Sequence, residues 1–139
     1  MKPYLRRAFY YETDQMSIVH HANYIRWMEE ARLDFMRQGG LDCMDLEREE
    51  IIIPVVDVAC KYIQSVHYDE QVRIFVKMTA FNGVRMAFAY RMETEDGRLA
   101  ASGTSSHCFV DRQTRRPVNL NRRNPQACAA GKRLLEAET

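Results

Sequence analysis

The sequence predicts an α+β fold in which a curved antiparallel sheet of about five strands wraps around one long α-helix. Apolar side chains recur at helical spacing over residues 24–38, which predicts the helix. Apolar and polar side chains alternate over residues 71–81 and 84–94, as is typical of half-buried strands. Asn82-Gly83 and Asp96-Gly97 follow these segments and predict tight hairpins of type I′, in which both central residues have positive φ.

The long helix has clear start and stop signals. Asn23 is predicted to cap its amino end, because the asparagine side-chain oxygen can accept a hydrogen bond from a free amide of the first turn. Gly39 and Gly40 predict its end, since glycine adopts the left-handed conformation at little cost. The apolar face of the helix comprises Tyr24, Trp27, Met28, Ala31 and Phe35.

The elements on either side of this helix follow from local composition. Residues 3–11 are rich in aromatic side chains and predict a first strand, and residues 41–50 predict either a short helical connection or a mobile lid. Residues 51–63 are β-branched and apolar, and a strand is expected to begin at or after Pro54 because proline lacks an amide proton. From Val55 onward the composition is typical of a well-buried strand.

The end of the chain predicts one more strand and one more helix. Residues 98–110 form the last long strand, in which small side chains would let another surface approach closely, and residues 126–137 favour a helix that Gly131 weakens. One long helix covers only one face of a sheet, and pairing with a second copy would protect the sheet edges. We therefore expect a homodimer or homotetramer of a single domain spanning residues 1–139.

Composition excludes several classes of function. Hydrophobic residues make up 46% and charged residues 28% of the chain, which is an ordinary globular composition. A net charge of +1 gives no general attraction to nucleic acid or anionic membranes, and no apolar run is long enough to cross a bilayer. Residues 1–15 are polar and charged, so we predict no signal peptide and a cytoplasmic protein.

Several common site motifs are missing from the sequence. The four cysteines are widely scattered, at positions 43, 60, 108 and 128, so we predict no metal site and expect reduced thiols. The chain has no Gly-x4-Gly-Lys, Gly-x-Gly-x2-Gly or Gly-x-Ser-x-Gly motif. The sequence therefore argues against nucleotide hydrolysis, dinucleotide binding and a serine-hydrolase mechanism.

Residues 10–23 are dense in side chains that can do chemistry, and they lead directly into the long helix. The first turn of a helix has free N–H groups and a positive dipole end, which can stabilise a developing oxyanion. Asp14 lies a few residues upstream and can act on the same carbonyl as base or nucleophile. This arrangement is suited to chemistry at a carbonyl group.

Residues 10–32 read YYETDQMSIVHHANYIRWMEEAR. The Asp-x6-His-x-Asn-Tyr spacing and the aromatic and acidic helix after it resemble the signature of the 4-hydroxybenzoyl-CoA thioesterase family of hotdog-fold acyl-CoA thioesterases. The rest of the chain is similar to the family only in length and in the order of its elements. The resemblance implies a hotdog fold, active sites at the interface of a dimer, and hydrolysis that requires no metal or bound cofactor. Ser17 is a departure, since members often carry glycine after the methionine.

The resemblance implies roles for three side chains of this run. Asp14 is the predicted catalytic carboxylate, as nucleophile or general base, although composition alone favours a loop aspartate that accepts hydrogen bonds from nearby amides. His21 is implied to position the carbonyl or the water, and the alternative is a helix-entry histidine satisfied by backbone groups. Tyr10 is implied to lie near the acyl group, but a strand tyrosine is just as often plain core.

The start of the helix supplies the remaining catalytic candidates. Asn23 is expected to help catalysis indirectly as the cap, and the backbone amide of Tyr24 is expected to contribute to the oxyanion site. Glu29 and Glu30 are weaker alternatives to Asp14, because a helix carboxylate is the catalytic group in some other hotdog enzymes.

A basic cluster follows the last predicted strand. Arg112, Arg115 and Arg116 are predicted to hold the phosphates of coenzyme A, because arginine pairs well with phosphate. The alternative is a solvated basic loop. Residues 111–125 contain no aromatic side chain, so a platform for single-stranded nucleic acid is not expected.

The predicted function is hydrolysis of an acyl-CoA thioester to free acid and coenzyme A. A hotdog hydratase or dehydratase would instead move a proton and water across a double bond without releasing thiol. A non-catalytic protein would bind the acyl thioester without turnover. The sequence leaves open whether the acyl group is aromatic, short aliphatic or long aliphatic, and whether a carrier protein replaces coenzyme A.

Overall fold

The structure, a computed structural model, describes residues 1–137. The strands are β1 (Tyr4–Arg7), β2 (Ile51–Ile52), β3 (Val55–Tyr62), β4 (Gln71–Phe81), β5 (Arg85–Thr94), β6 (Leu99–Cys108) and β7 (Val110–Asp111). The helices are α1 (His21–Gln38), α2 (Cys43–Arg48), α3 (Leu120–Arg123) and α4 (Pro125–Glu136), and Tyr10–Glu12 form one turn of 3-10 helix.

The main sheet has five antiparallel strands in the order β1-β4-β5-β6-β3, and β2 pairs with β7 in a separate ladder. Helix α1 contacts β1, β3 and β4, so the core lies between this helix and the inner face of the sheet. The predicted α+β fold, with about five antiparallel strands around a long helix, is confirmed. The alternating side chains of the two central strands are all buried, as predicted: Val72, Ile74, Val76, Met78, Met86, Phe88, Tyr90 and Met92.

The first strand is shorter than the sequence predicts. Strand β1 ends at Arg7 and the chain turns at Tyr10–Glu12, whereas a strand was predicted for residues 3–11. The turn forms because the Glu12 carboxylate folds back and accepts a hydrogen bond from the Phe9 amide at 2.9 Å. Tyr10 therefore lies in a helical turn and not in a strand.

Both hairpins are present, but neither is of type I′. Gly83 and Gly97 have φ of 85° and 84°, while Asn82 and Asp96 are not among the residues with positive φ. The Asn82 side chain explains the first turn. Its Oδ1 accepts hydrogen bonds from the backbone amides two and three residues later, those of Val84 at 2.9 Å and Arg85 at 2.7 Å.

Strand β3 is exposed, and the prediction of a well-buried strand from Val55 onward is wrong. The strand begins directly after Pro54, as predicted, but it lies at the edge of the sheet with β6 as its one neighbour. Val55, Val58 and Tyr62 are 51%, 41% and 45% exposed. A run of β-branched residues indicates burial only when another surface covers it, and within one chain nothing among the described residues covers this edge.

The small residues of β6 allow the predicted close approach. A Cβ added to Gly103 would lie 2.6 Å from Met28 Cε of α1 and 2.7 Å from the Ala59 carbonyl oxygen of β3. Glycine is therefore required here for the long helix and the edge strand to pack closely on β6.

Candidate active site

Helix α1 begins at His21, three residues before the predicted start, and its cap is His20 and not Asn23. His20 has an extended backbone, with φ −63° and ψ 136°, and its Nδ1 accepts a hydrogen bond from the Ala22 amide at 3.2 Å. Asn23 lies inside the first turn, where its Nδ2 donates to the Glu12 carbonyl at 3.0 Å. The predicted cap was wrong because a histidine nitrogen accepts the hydrogen bond usually taken by an asparagine or serine oxygen.

The early helix start changes which amide is free. The Ala22 amide donates to the His20 side chain, and the Asn23 amide donates to the His20 carbonyl at 2.9 Å. Within residues 1–137 the His21 amide has no hydrogen-bond acceptor. Tyr24, the predicted oxyanion donor, is the fourth residue of the helix. The His21 amide therefore leaves a free N–H group at the positive end of the helix dipole.

Asp14 lies in a tight loop that holds its carboxylate. Its amide donates to the Ile18 carbonyl at 2.8 Å, and its Oδ1 accepts from the Met16 amide at 2.8 Å. One Asp14 oxygen therefore accepts a hydrogen bond from a nearby amide, as expected for a loop aspartate from composition. The other oxygen, Oδ2, has no hydrogen bond among the described residues, so it is available to a substrate or water.

Ser17 has φ of 64°, the left-handed region. A side chain in this region is strained by contact between Cβ and the following carbonyl, which glycine avoids. The loop geometry therefore explains why members of the resembled family often carry glycine at this position. In this chain Ser17 adopts the same left-handed conformation at some cost in strain.

Asp14 and the amino end of α1 line one cleft of about 260 Å³. His21 and Tyr24 contribute from the helix, and Tyr62 contributes from the end of β3. The remaining lining residues are Ile18, Val19, Ile63, Gln64 and Ser65. The structure therefore brings together the predicted carboxylate, the predicted histidine and the helix terminus.

His21 and Tyr62 form the rim of the cleft. The His21 ring is exposed and stacks on His20 with centroids 4.2 Å apart, so His20 and not His21 is the helix-entry histidine that bonds the backbone. The Tyr62 hydroxyl donates to the His21 carbonyl at 3.0 Å. Partial burial of the hydroxyl, together with the neighbouring Cys60 thiol, raises the pKa of Tyr62 to about 12, so the hydroxyl stays protonated. Tyr62 has no local sequence signal, because it reaches the site from a distant strand.

The Tyr24 side chain has a structural role. It is 3% exposed, stacks on Trp27, and accepts a hydrogen bond from the Val66 amide through its hydroxyl at 3.2 Å. This contact fixes the segment that follows β3 against the helix. Any part of Tyr24 in catalysis would involve its main chain.

Three other candidates do not line this cleft. The Tyr10 side chain is 77% exposed and packs edge-on against Tyr68, with ring centroids 5.6 Å apart. Glu30 accepts hydrogen bonds from the Tyr4 hydroxyl and from Arg6, both at 2.9 Å, so its side chain lies on the β1 side of the helix. Glu29 lies two turns along α1 and 3.6 Å from Arg32.

Arg112, Arg115 and Arg116 lie beyond the other end of the sheet. They follow β7, next to the Val55 end of β3, whereas the cleft is at the Tyr62 end. These two ends of the strand are roughly 20 Å apart at the usual rise per residue. Arg112 is 3.4 Å from Glu50, and within residues 1–137 the Arg115 and Arg116 side chains have no ion pair.

The described residues contain no group of three His, Cys, Asp or Glu side chains arranged to hold a metal ion. Among residues 1–137, the structure has no helix that is both long and apolar enough to span a bilayer.

The sequence matches the thioesterase-like superfamily over residues 10–127, and the chain belongs to this superfamily. YneP of Bacillus subtilis is 34% identical over 116 residues, which cover 84% of each chain. The acyl-CoA thioester hydrolase YbgC of Escherichia coli O157:H7 is 25% identical over 93 residues, covering 67% of this chain and 69% of YbgC. The crystal structure of a DHNA-CoA thioesterase from Staphylococcus aureus superposes with a TM-score of 0.92 at 30% identity, covering 97% of this chain and 91% of that one.

These similarities confirm the predicted hotdog fold and the predicted class of enzyme, a thioester hydrolase. They establish the superfamily, while membership of the narrower 4-hydroxybenzoyl-CoA thioesterase family stays a prediction.

Proposed function

We propose that this protein hydrolyses an acyl-CoA thioester to the free acid and coenzyme A, with Asp14 as nucleophile or general base. The observation that carries the proposal is that Asp14 and the free amide end of α1 line the same cleft. A thioester carbonyl is electrophilic enough for one carboxylate and a good oxyanion site to suffice.

In this mechanism the substrate carbonyl oxygen binds at the amino end of α1. The His21 amide is one donor at this end of the helix, beside the Tyr24 amide expected from sequence. The Met16 amide holds one Asp14 oxygen, which leaves Oδ2 directed at the carbonyl carbon or at a water. The His21 ring and, in the assembled protein, Tyr10 shape the acyl end of the site.

Two chemical routes use this geometry. As a nucleophile, Asp14 attacks the carbonyl carbon, the C–S bond breaks, coenzyme A leaves as the thiolate, and water then hydrolyses the acyl anhydride. As a general base, Asp14 removes a proton from a water molecule that attacks the same carbon, after which the C–S bond breaks and coenzyme A leaves as the thiolate. In both routes the amide end of α1 stabilises the negative charge that develops on the carbonyl oxygen.

The active unit in this proposal is a dimer formed through β3. The strand has an unpaired outer edge and exposed apolar side chains, which an eight-residue edge strand rarely presents to water. Two copies related by a two-fold axis pair such an edge antiparallel with itself. A dimer of this kind would cover Val55 and Val58 and extend the sheet across both subunits.

Antiparallel pairing also offers a role for the basic cluster. The Val55 end of one strand then lies beside the Tyr62 end of the other, because the two strands run in opposite directions. Arg112, Arg115 and Arg116 of one subunit would thereby lie near the Asp14 cleft of the second, where they would hold the phosphates of coenzyme A. The names of YbgC and of the staphylococcal enzyme support coenzyme A as the thiol carrier.

The test is thiol release from aromatic, short aliphatic, long aliphatic and enoyl-CoA esters, with Asp14→Asn beside the wild type. The variant preserves shape but removes the charge, so we expect a loss in kcat on the order of a hundredfold. Asp69→Asn removes an exposed aspartate from a surface loop and should retain full activity. The best ester then identifies the acyl class.

Three results would contradict the proposal. Equal activity of Asp14→Asn and wild type would remove the catalytic role of Asp14. Conversion of an enoyl ester without thiol release would favour a hydratase. Tight binding of acyl-CoA without any turnover, unchanged in the variant, would favour a binding protein.

A further inference from the structure

Glu12 is a buried carboxylate that the proposed chemistry does not use. It is 4% exposed, and each of its oxygens accepts two hydrogen bonds. Arg6 binds it with two parallel N–H groups at 2.9 Å, the Phe9 amide donates to Oε1 at 2.9 Å, and Trp27 Nε1 donates to Oε2 at 2.8 Å. Four donors with good geometry stabilise the charge in a site removed from water.

The same residue is also bonded through its main chain. The Glu12 carbonyl oxygen accepts hydrogen bonds from the His20 amide at 2.9 Å and from Asn23 Nδ2 at 3.0 Å. His20 caps α1 and Asn23 lies in its first turn, so this one carbonyl ties the segment before Asp14 to the amino end of the helix. The Trp27 contact adds a second tie one turn further along α1.

Asp14 is two residues after this anchor. The loop that carries it closes through a bridge between Thr13 and Val19 and through the hydrogen bond from the Asp14 amide to the Ile18 carbonyl. The first end of this loop follows Glu12 directly in the chain, and the residue after its second end, His20, is hydrogen-bonded to the Glu12 carbonyl. A shift of Glu12 would move the Asp14 carboxylate relative to the His21 amide.

We infer that Glu12 is a positioning residue, whose buried carboxylate sets the distance between the Asp14 carboxylate and the amide end of α1. The inference rests on the proposed function of Asp14. Catalysis at a carbonyl requires the attacking group and the oxyanion donors to be held in one geometry, and an error of about 1 Å can reduce the rate a hundredfold. Loss of the Glu12 contacts should therefore lower kcat more than it raises KM.

The chain offers a matched control for this idea. Glu30 is the second carboxylate that binds Arg6, at 2.9 Å, and it contacts β1 and not the Asp14 loop. Glu12→Gln and Glu30→Gln each remove one negative charge from the same arginine with little change in shape. Kinetics and thermal unfolding should be measured for both, at a temperature well below the lower Tm.

We expect Glu12→Gln to reduce kcat by about tenfold or more with KM within about twofold, and Glu30→Gln to retain the wild-type kcat. A purely structural Glu12 would lower Tm and leave kcat unchanged in the folded enzyme. If kcat is unchanged, or if both variants lose kcat equally, the inference is wrong.

A gentler variant covers the case in which Glu12→Gln does not fold. Trp27→Phe removes one donor to Glu12 and leaves the Arg6 pair intact. It should lower kcat several-fold with KM nearly unchanged, and wild-type kcat would overturn the inference. Asp14→Asn separates the two proposals: if Asp14→Asn is inactive and the Glu12 and Trp27 variants have full kcat, only the positioning role fails.

Discussion

The two edge strands of the main sheet, β1 and β3, differ in length and in what their side chains contact. Strand β1 has four residues, and its polar side chains bond to the same chain: Tyr4 donates to Glu30 of α1, and Arg6 binds both Glu12 and Glu30. Strand β3 has eight residues, and valines and a tyrosine on it are exposed. One edge is completed by intramolecular ion pairs, and the other presents apolar surface.

This difference indicates which surface the proposed dimer would use for assembly. A short edge tied to the helix by charged groups has little to gain from another strand, while a long apolar edge gains both hydrogen bonds and burial. The loop that carries Asp14 is anchored on the β1 side by Glu12, and the cleft opens on the β3 side at Tyr62. The proposed site thus has its rigid support within one chain and its open side toward the proposed partner.

The largest expected effect comes from placing a charge on each edge in turn. Val58→Arg on β3 should convert the proposed dimer to a monomer and lower activity on the order of a hundredfold, because the cleft would lose the proposed partner. Leu5→Arg on β1 is the matched control, since Leu5 is 56% exposed and Val58 is 41% exposed. Sedimentation velocity and thiol release measure both outcomes.

Either of two results would break the comparison of the edges. A wild-type protein that sediments as a monomer at working concentrations would exclude assembly through β3. An equal change in mass for Leu5→Arg and Val58→Arg would show that the edges are not distinct.

A second prediction concerns the pH dependence of stability that arises from buried polar groups on β6, the neighbour of β3. His107, which pairs with Val55, is fully buried, and its Nε2 lies 3.3 Å from Arg32 Nη1 and 2.8 Å from Ser105 Oγ. Arginine can only donate, so Nε2 accepts and the ring is neutral. Burial, and then the positive charge of Arg32, lower the pKa of His107 to about 4.

This lowered pKa gives stability a defined pH dependence. Between about pH 6.5 and about pH 4 the unfolded chain binds a proton at this histidine that the folded chain does not, so acid destabilises the fold. The contribution of His107 should fall by about 1.4 kcal/mol per pH unit across that window. Urea unfolding at fixed protein concentration should show a shallower pH slope for His107→Gln.

His67→Gln is the control for this measurement, because His67 is an exposed histidine outside the core. The pH slope of His67→Gln should stay steeper than that of His107→Gln. If His107→Gln has the wild-type slope, the acid sensitivity arises from other groups and His107 does not contribute to it.

The smallest expected effect is at the contact between β3, β6 and α1. In Gly103→Ala the new methyl group would lie 2.7 Å from the Ala59 carbonyl oxygen, which is backbone and cannot move away easily. We expect a loss of about 1–3 kcal/mol in the free energy of unfolding. Ala59→Ser adds one atom at an exposed position of the same strand pair and should change stability by less than about 0.5 kcal/mol. Equal stability of both variants would mean that β3 is not held closely against β6.

Local patterns in the sequence determined much of this protein. The spacing of apolar residues predicted the long helix, and alternation predicted β4 and β5, because these patterns depend on contacts within a few residues or across one hairpin. The spacing between Asp14 and His21 likewise placed a carboxylate one loop before a helix terminus. These features require only that the chain form its elements in order.

Only the tertiary structure decided the remaining features. The start of α1 depends on the Glu12 carbonyl that binds the His20 amide, and the burial of Glu12 depends on Arg6 and Trp27. The exposure of β3 depends on its position at the sheet edge. A strand of the same β-branched composition could equally lie in the centre of a sheet. Each of these features depends on groups distant in sequence or on a neighbouring surface, and local periodicity contains no information about such contacts.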